Sequence, residues 1–196
     1  GKYFSTGEYE LKDSYAALFD ALDHASWNLS VKPEIHWINA EMVEKEGVSC
    51  IGRPDGIIVP IGWGERGAEG MIQTASYARQ EKIPYLGLCY GMQLAVVAFA
   101  RDVLGFKDAN TEENSSSTKH PVIHFIPSQK KLIEKQSYGG TMRLGAWKAK
   151  VQRNSFAYNI YKLHKGFIDT QESVISERHR HRYEFNDTYT GDFEEN

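Results

Sequence analysis

Three consecutive segments constrain this chain more than anything else in it. They are Ile83-Pro84-Tyr85-Leu86-Gly87-Leu88, then Cys89-Tyr90-Gly91, then the apolar run Met92–Val103. The first reads as a short buried strand and the last as an apolar helix. A glycine two residues to either side of Cys89 lets the chain turn sharply between them. A residue at the apex of such an elbow is displayed at the carboxyl edge of a sheet. Its sulfur lies over the first N–H groups of the helix, where the positive end of the dipole favours a thiolate. The G-x-S-x-G elbow of hydrolases displays a serine by the same mechanics. A cysteine can also pack as a small apolar residue. The flanking glycines, strand and helix favour a nucleophile, on a backbone with φ near or above zero.

The rest of the first half repeats the strand–helix rhythm. Gly1–Phe4 reads as a short strand, and Leu11–Ala25 as a helix with Tyr15, Leu18, Phe19 and Leu22 on one face. Glu34–Ile38 alternates around Ile35 and Trp37 as a second strand, and Gly56–Pro60 is a third, buried one. Glu69–Glu81 reads as a helix leading into the Ile83–Leu88 strand. This pattern predicts an α/β fold, an open and mostly parallel sheet covered by helices on both faces. After Gly105 the character changes. Lys107–Lys119 reads as an irregular polar loop, and Val122–Ile126 and Thr141–Val151 as strands joined by the basic stretch Ser128–Tyr138. Ser155–Leu163 reads as a short helix and Arg182–Phe185 as a strand.

A length of 196 residues suits one domain spanning 1–196. A net charge of −3 argues against nucleic acid or an anionic membrane surface as partner. Cys50 and Cys89 alone make no disulfide framework and suit a reducing, cytoplasmic setting. No apolar run approaches the ~20 residues of a membrane span, and no signal-peptide pattern opens the chain.

Two further stretches carry chemistry. Pro60-Ile61-Gly62-Trp63-Gly64-Glu65-Arg66-Gly67 follows the third strand directly. In an open α/β sheet such a loop lies at the carboxyl edge, beside the Cys89 elbow. The backbone N–H groups of Gly62 and Tyr90 would then be the two oxyanion donors. The alternative is an ordinary glycine-rich turn. In Arg178-His179-Arg180-His181-Arg182-Tyr183-Glu184, strand geometry puts Arg178, Arg180 and Arg182 on one face, with His179 and His181 on the other. An arginine row near a site suits capture of a carboxylate; a solvated edge strand is the alternative. A zinc site from the two histidines lacks a second Cys or His pair at ligand spacing, so no metal is expected. Gly139-Gly140-Thr141-Met142-Arg143-Leu144-Gly145 lacks the Gly-Lys-Ser/Thr order of a phosphate loop.

Taken together, these residues resemble a known family. Val59-Pro60-x-Gly62-x-Gly64-Glu65-Arg66-Gly67, Leu86-Gly87-x-Cys89-x-Gly91-Met92-Gln93-Leu94-Ala95-Val96, Asp108-Ala109-Asn110, the Gly139–Gly145 stretch and Glu177–Glu184 carry the likeness. They are similar to the glutaminase half of the CTP synthase family, a class I (triad) glutamine amidotransferase domain of flavodoxin-like fold. The resemblance implies that Cys89 attacks the side-chain amide of L-glutamine, with the Gly62 and Tyr90 N–H groups holding the oxyanion. It implies that Gln93, Glu113 and Arg180 bind glutamine, Arg180 at the α-carboxylate and Glu113 at the α-amino group. It further implies delivery of ammonia to an N-terminal synthase domain of the same enzyme, which uses ATP and magnesium to aminate UTP to CTP. GTP would act as activator and the parent enzyme as a homo-oligomer, a tetramer; the glutaminase domain itself would need no cofactor.

Three departures from the family pattern qualify that expectation. The N-terminal synthase domain would precede Gly1. The family's C-terminal His-Pro-Glu segment is lacking before Asn196, so activity of the 196 residues alone is in doubt. Ile61 stands where the family has the first of two glycines, and a β-branched residue resists positive φ, so the loop is expected to be displaced. A triad-deficient, non-catalytic glutamine-binding or assembly module therefore stands as the alternative. A general α/β hydrolase built on Cys89 would leave the more specific motifs to chance.

Overall fold

Parallel pairing of β1 (Ile57–Val59) with β2 (Tyr85–Gly87) organises the first half of the chain, in the register Ile57↔Tyr85, Ile58↔Leu86 and Val59↔Gly87. The structure is a computed structural model that describes residues 1–3, 12–126 and 143–195. Each strand feeds a helix: β1 leads through the Pro60–Gly67 loop into α3 (Ala68–Gln80), and β2 through Leu88 and Cys89 into α4 (Tyr90–Asp102). These are the expected elements, with ends within a few residues of the predicted ones, but β2, read as buried, is only partly so, with Leu86 exposed. Met71, Ile72 and Ala75 on one face of α3 join Leu94, Val97 and Ala98 on one face of α4 in the buried core, with Val59 beneath them. The 3- and 4-residue spacing of those apolar positions is what makes each helix one-sided.

By internal packing the chain forms two compact units, Gly1–His124 with Tyr183–Asn196, and Phe125–Arg182. The first also holds α1 (Ala16–Leu29), α2 (Ala40–Glu46) and a sheet in the order β3 (Asn110–Thr111), β4 (Pro121–Phe125), β7 (Tyr183–Phe185). β3 and β4 are parallel, and Ala109, Val122 and Ile123 are fully buried there. In the second unit, β5 (Arg143–Lys150) pairs antiparallel with β6 (Val174–His181), from Arg143↔His181 to Lys150↔Val174. Helix α5 (Phe156–Leu163) follows, capped by Ser155, whose Oγ accepts from Tyr158 N–H at 3.0 Å. No helix among the described residues is long and apolar enough to cross a membrane.

Two expected strands do not form as read. Glu34–Ile38 has no regular structure, and Glu34, Ile35 and His36 are exposed. Gly1–Tyr3 is likewise irregular, although Gly1 bridges the segment, donating to Ile38 O at 3.0 Å and accepting from Ala40 N–H at 2.8 Å. Alternation alone does not make a strand; a ladder of partners does. Helix α2 was not anticipated. Its signal is Asn39, whose Oδ1 accepts from Glu41 N–H at 2.9 Å and starts the helix. The basic stretch Ser128–Tyr138 and residues 139–142 of the glycine-flanked motif lie outside the described residues.

α4 lies against β1 so closely that a Cβ on Gly91 would overlap the Val59 carbonyl oxygen. Backbone cannot yield there as a flexible side chain could. Gly91→Ala is therefore expected to destabilise the fold by roughly 3 kcal/mol or more, read as a fall in the thermal midpoint. Gly64→Ala, in open space but at φ +74, should cost about 1 kcal/mol.

Candidate active site

Cys89 stands at the apex between β2 and α4 as the residue capping the helix, at φ 55 and ψ −104. The local sequence explains this posture. A Cβ on Gly87 would lie 2.6 Å from Met92 N, so the strand passes beneath the helix start only without a side chain. Tyr85 Oη donates to Gly91 O at 2.8 Å, and Gly91 N–H donates to Leu88 O at 3.0 Å. Gln93 N–H closes the first turn on Cys89 O at 3.1 Å. A positive φ at a non-glycine residue is held only where its surroundings over-determine it, as these contacts do.

The electrostatics differ from the expectation. Burial pushes the Cys89 thiol above its ordinary range; the Tyr90 N–H pulls the other way, and the Glu113 carboxylate adds to the rise. A helix-end effect of about 0.3–1 kcal/mol is outweighed here by desolvation.

The Pro60–Gly67 loop leaves the carboxyl end of β1, next to the elbow at the end of β2. Gly64 and Gly67 carry positive φ, +74 and +71, whereas Gly62 and Ile61 do not. Ile61 thus sits on ordinary backbone, without the positive φ that a β-branched residue resists. Gly62 is required for close approach instead, because a Cβ there would lie 2.9 Å from Lys2 Cδ and 3.1 Å from Tyr90 Cδ1. Lys2, 1% exposed, donates from Nζ to Trp63 O at 2.7 Å and Gly64 O at 2.6 Å. Tyr90 is equally buried, with Oη 2.8 Å from Gly64 O and 2.9 Å from Asn114 Oδ1. Glu113 Oε1 accepts from Gly64 N–H at 2.8 Å.

The fold thus brings Gly62, Cys89, Tyr90 and Glu113 into one cluster. Gln93 belongs to the same helix start but is buried, and its Nε2 donates to Tyr183 O at 3.3 Å. Arg180 lies in the other unit, on β6 opposite Leu144, with its side chain exposed. The alternation read from sequence holds on that strand: Arg178 and Arg180 are exposed, His179 and His181 half-buried, with Nδ1 atoms 3.2 Å apart. Burial, then His179, then Arg143 push the His181 imidazole below its ordinary value. Other histidines engage elsewhere, His120 with Asp108 at 2.6 Å and His124 with Glu184 at 4.0 Å. No group of three or more metal-binding side chains occurs among the described residues. Lys2 and Asn114 were missed in the sequence, since neither lies in a motif and both act through contacts distant along the chain.

Comparison with known proteins fits this geometry. Residues 10–195 match the family model for Glutamine amidotransferase class-I. The CTP synthase of Pyrococcus abyssi is 46% identical over 189 residues, which cover 96% of this chain and 33% of that protein. The CTP synthase of Bacillus anthracis is 44% identical over 190 residues, 96% of this chain and 33% of that protein. The glutaminase domain of the Trypanosoma brucei CTP synthase, solved with bound acivicin, superposes with a TM-score of 0.83 at 32% identity, covering 100% of this chain and 69% of that one. The chain belongs to the class I glutamine amidotransferase family and has its flavodoxin-like α/β fold. Within the family its relatives are CTP synthases, and it spans about a third of the length of the curated ones it matches.

A thiol held above its ordinary range is mostly protonated at neutral pH. Iodoacetamide should therefore alkylate Cys89 in the ligand-free protein more slowly than a free cysteine at pH 7. The rate should keep climbing beyond pH 9, followed by mass spectrometry at this position. A plateau below pH 8 would show that the thiol is instead depressed.

Proposed function

We propose that this chain is the glutaminase domain of a CTP synthase. It hydrolyses L-glutamine and supplies the ammonia for ATP-dependent amination of UTP to CTP. The observation that carries the reading is Cys89, held at positive φ at the β2–α4 elbow, with the glycine loop of the adjacent parallel strand beside it. The relatives' names support the substrate and the larger reaction.

In this reading Cys89 Sγ attacks the carboxamide carbon of glutamine. The thiol passes its proton to a general base, the carbonyl becomes an oxyanion held by the Gly62 and Tyr90 N–H groups, and a C–S bond forms. Collapse breaks the C–N bond, and the base returns that proton to the nitrogen, which leaves as ammonia. Water then cleaves the thioester and releases glutamate. Glu113 receives the substrate α-amino group; a carboxylate offers about four acceptor sites, enough for the Gly64 N–H and an ammonium together. Arg180 takes the α-carboxylate, and Gln93 shapes the floor of the site at the first turn of α4. ATP and magnesium belong to the separate synthase domain, with GTP as activator and a homo-oligomer as the working state.

The test is covalent. A diazo-ketone analogue of glutamine should label Cys89 in the intact protein and leave Cys50 untouched, with ammonia release from glutamine lost in Cys89→Ser. Labelling at Cys50, or ammonia release that survives the substitution, would overturn the reading. Arg180→Ala should raise KM for glutamine roughly 10- to 100-fold, the loss of a charge-assisted pair of about 1.5–3 kcal/mol. An unchanged KM would remove Arg180 from the site.

A further inference from the structure

Lys2 and the phenol of Tyr90 converge on one stretch of backbone, and neither is explained by packing alone. Trp63 O and Gly64 N belong to a single planar trans peptide, so they point in opposite directions. Lys2 Nζ holds the oxygen end at 2.7 Å, and Glu113 Oε1 holds the N–H end at 2.8 Å. A cation thus grips the negative pole of this peptide and an anion its positive pole, and both contacts are charge-assisted. The next carbonyl, Gly64 O, receives Lys2 Nζ at 2.6 Å and Tyr90 Oη at 2.8 Å. The Lys2 ammonium also lies 5.1 Å from the Tyr90 ring centroid. The ring edge of Tyr90 fills the space that a side chain on Gly62 would need.

We infer that Tyr90 and Lys2 are positioning residues for the glutamine reaction, fixing the Gly62–Gly64 backbone at a set distance from the Cys89 elbow. The inference rests on the proposed glutaminase reading. Tyr90 is the residue after the nucleophile, and through its side chain the elbow reaches across to Gly64 O. One residue therefore supplies a backbone donor on the elbow and a hydroxyl that sets the facing loop. Lys2 completes the arrangement from the opposite side and keeps the Trp63–Gly64 peptide from turning over. A flipped peptide would aim a carbonyl where Gly64 N–H now meets Glu113, so the same loss would loosen the proposed α-amino site.

The test uses Tyr90→Phe and Lys2→Met in the intact protein. Tyr90→Phe keeps the backbone N–H and the ring and deletes one oxygen. It should lower kcat for glutamine roughly 10- to 100-fold with KM within about threefold, because a displaced oxyanion donor is felt in the transition state. Lys2→Met should lower kcat and raise KM together, since it frees both ends of the clamped peptide. Labelling of Cys89 by the glutamine analogue should slow in both variants. Alkylation by iodoacetamide, which needs neither loop nor amino-acid grip, should stay within about twofold of the parent in both. A kcat within twofold of the parent in both variants would overturn the inference. So would an equal fall in both alkylation rates with a collapsed thermal midpoint, which marks a role in stability alone. Failure of the unsubstituted protein to hydrolyse glutamine would count against the glutaminase reading instead.

Discussion

The carbonyl of Val59 is where the strand pair, the Cys89 elbow and the glycine loop meet. It accepts the Leu88 N–H at 2.9 Å, continuing the parallel pairing past the last rung of β2. It also faces Gly91 with no room for a side chain between them. The start of α4 is thereby drawn down onto the end of β1, and Cys89, caught between strand and helix, has only a strained conformation open to it. The next residue after Val59 begins the Pro60–Gly67 loop, so loop and elbow leave from one point. Their proximity follows from the pairing of β1 with β2 and one absent Cβ; no element beyond these strands and α4 is needed to bring them together.

What does need long-range interaction is the order of the loop itself. Lys2 reaches it from 61 residues away in sequence, and Glu113 from 49. A buried ammonium is costly unless its donors are met. Two carbonyls and the field of Glu113 meet that need, while Arg66 opposes it electrostatically and donates to Lys2 O at 2.8 Å. Arg66 is in turn paired with Glu41 at the start of α2. The backbone N–H of Lys2 donates to Tyr15 Oη at 3.1 Å, ahead of α1. Elements far apart in the chain therefore converge through one lysine on the two peptides that face the elbow.

This division between local and distant causes separates what was legible in the sequence from what was not. The β2–Cys89–α4 elbow was legible because its determinants, an apolar run, two glycines and an apolar helix, are adjacent residues. The alternation of Arg178 and Arg180 against His179 and His181 was legible for the same reason. The Glu34–Ile38 segment misled because alternation is also local, whereas a strand is defined by a partner that the segment lacks in regular form. The loop places its positive φ angles at Gly64 and Gly67 and leaves Ile61 on ordinary backbone, as a β-branched residue requires. The roles of Lys2 and Asn114 had no local sign, because they rest on contacts with Trp63, Gly64 and Tyr90 far along the chain.

The sign of the shift at Cys89 shows the same limit in energetic form. Sequence places the sulfur at a helix start, and the Tyr90 N–H does favour the thiolate. The opposing influences, burial and the Glu113 carboxylate, come from the tertiary packing. Glu113 is not an isolated charge, however. Lys2 and Glu113 hold opposite ends of one peptide, and the Glu113 carboxylate favours the charged form of Lys2 against the burial that opposes it. The carboxylate that raises the thiol is therefore the same one that orders the facing loop, so loop geometry and thiol ionisation meet at Glu113.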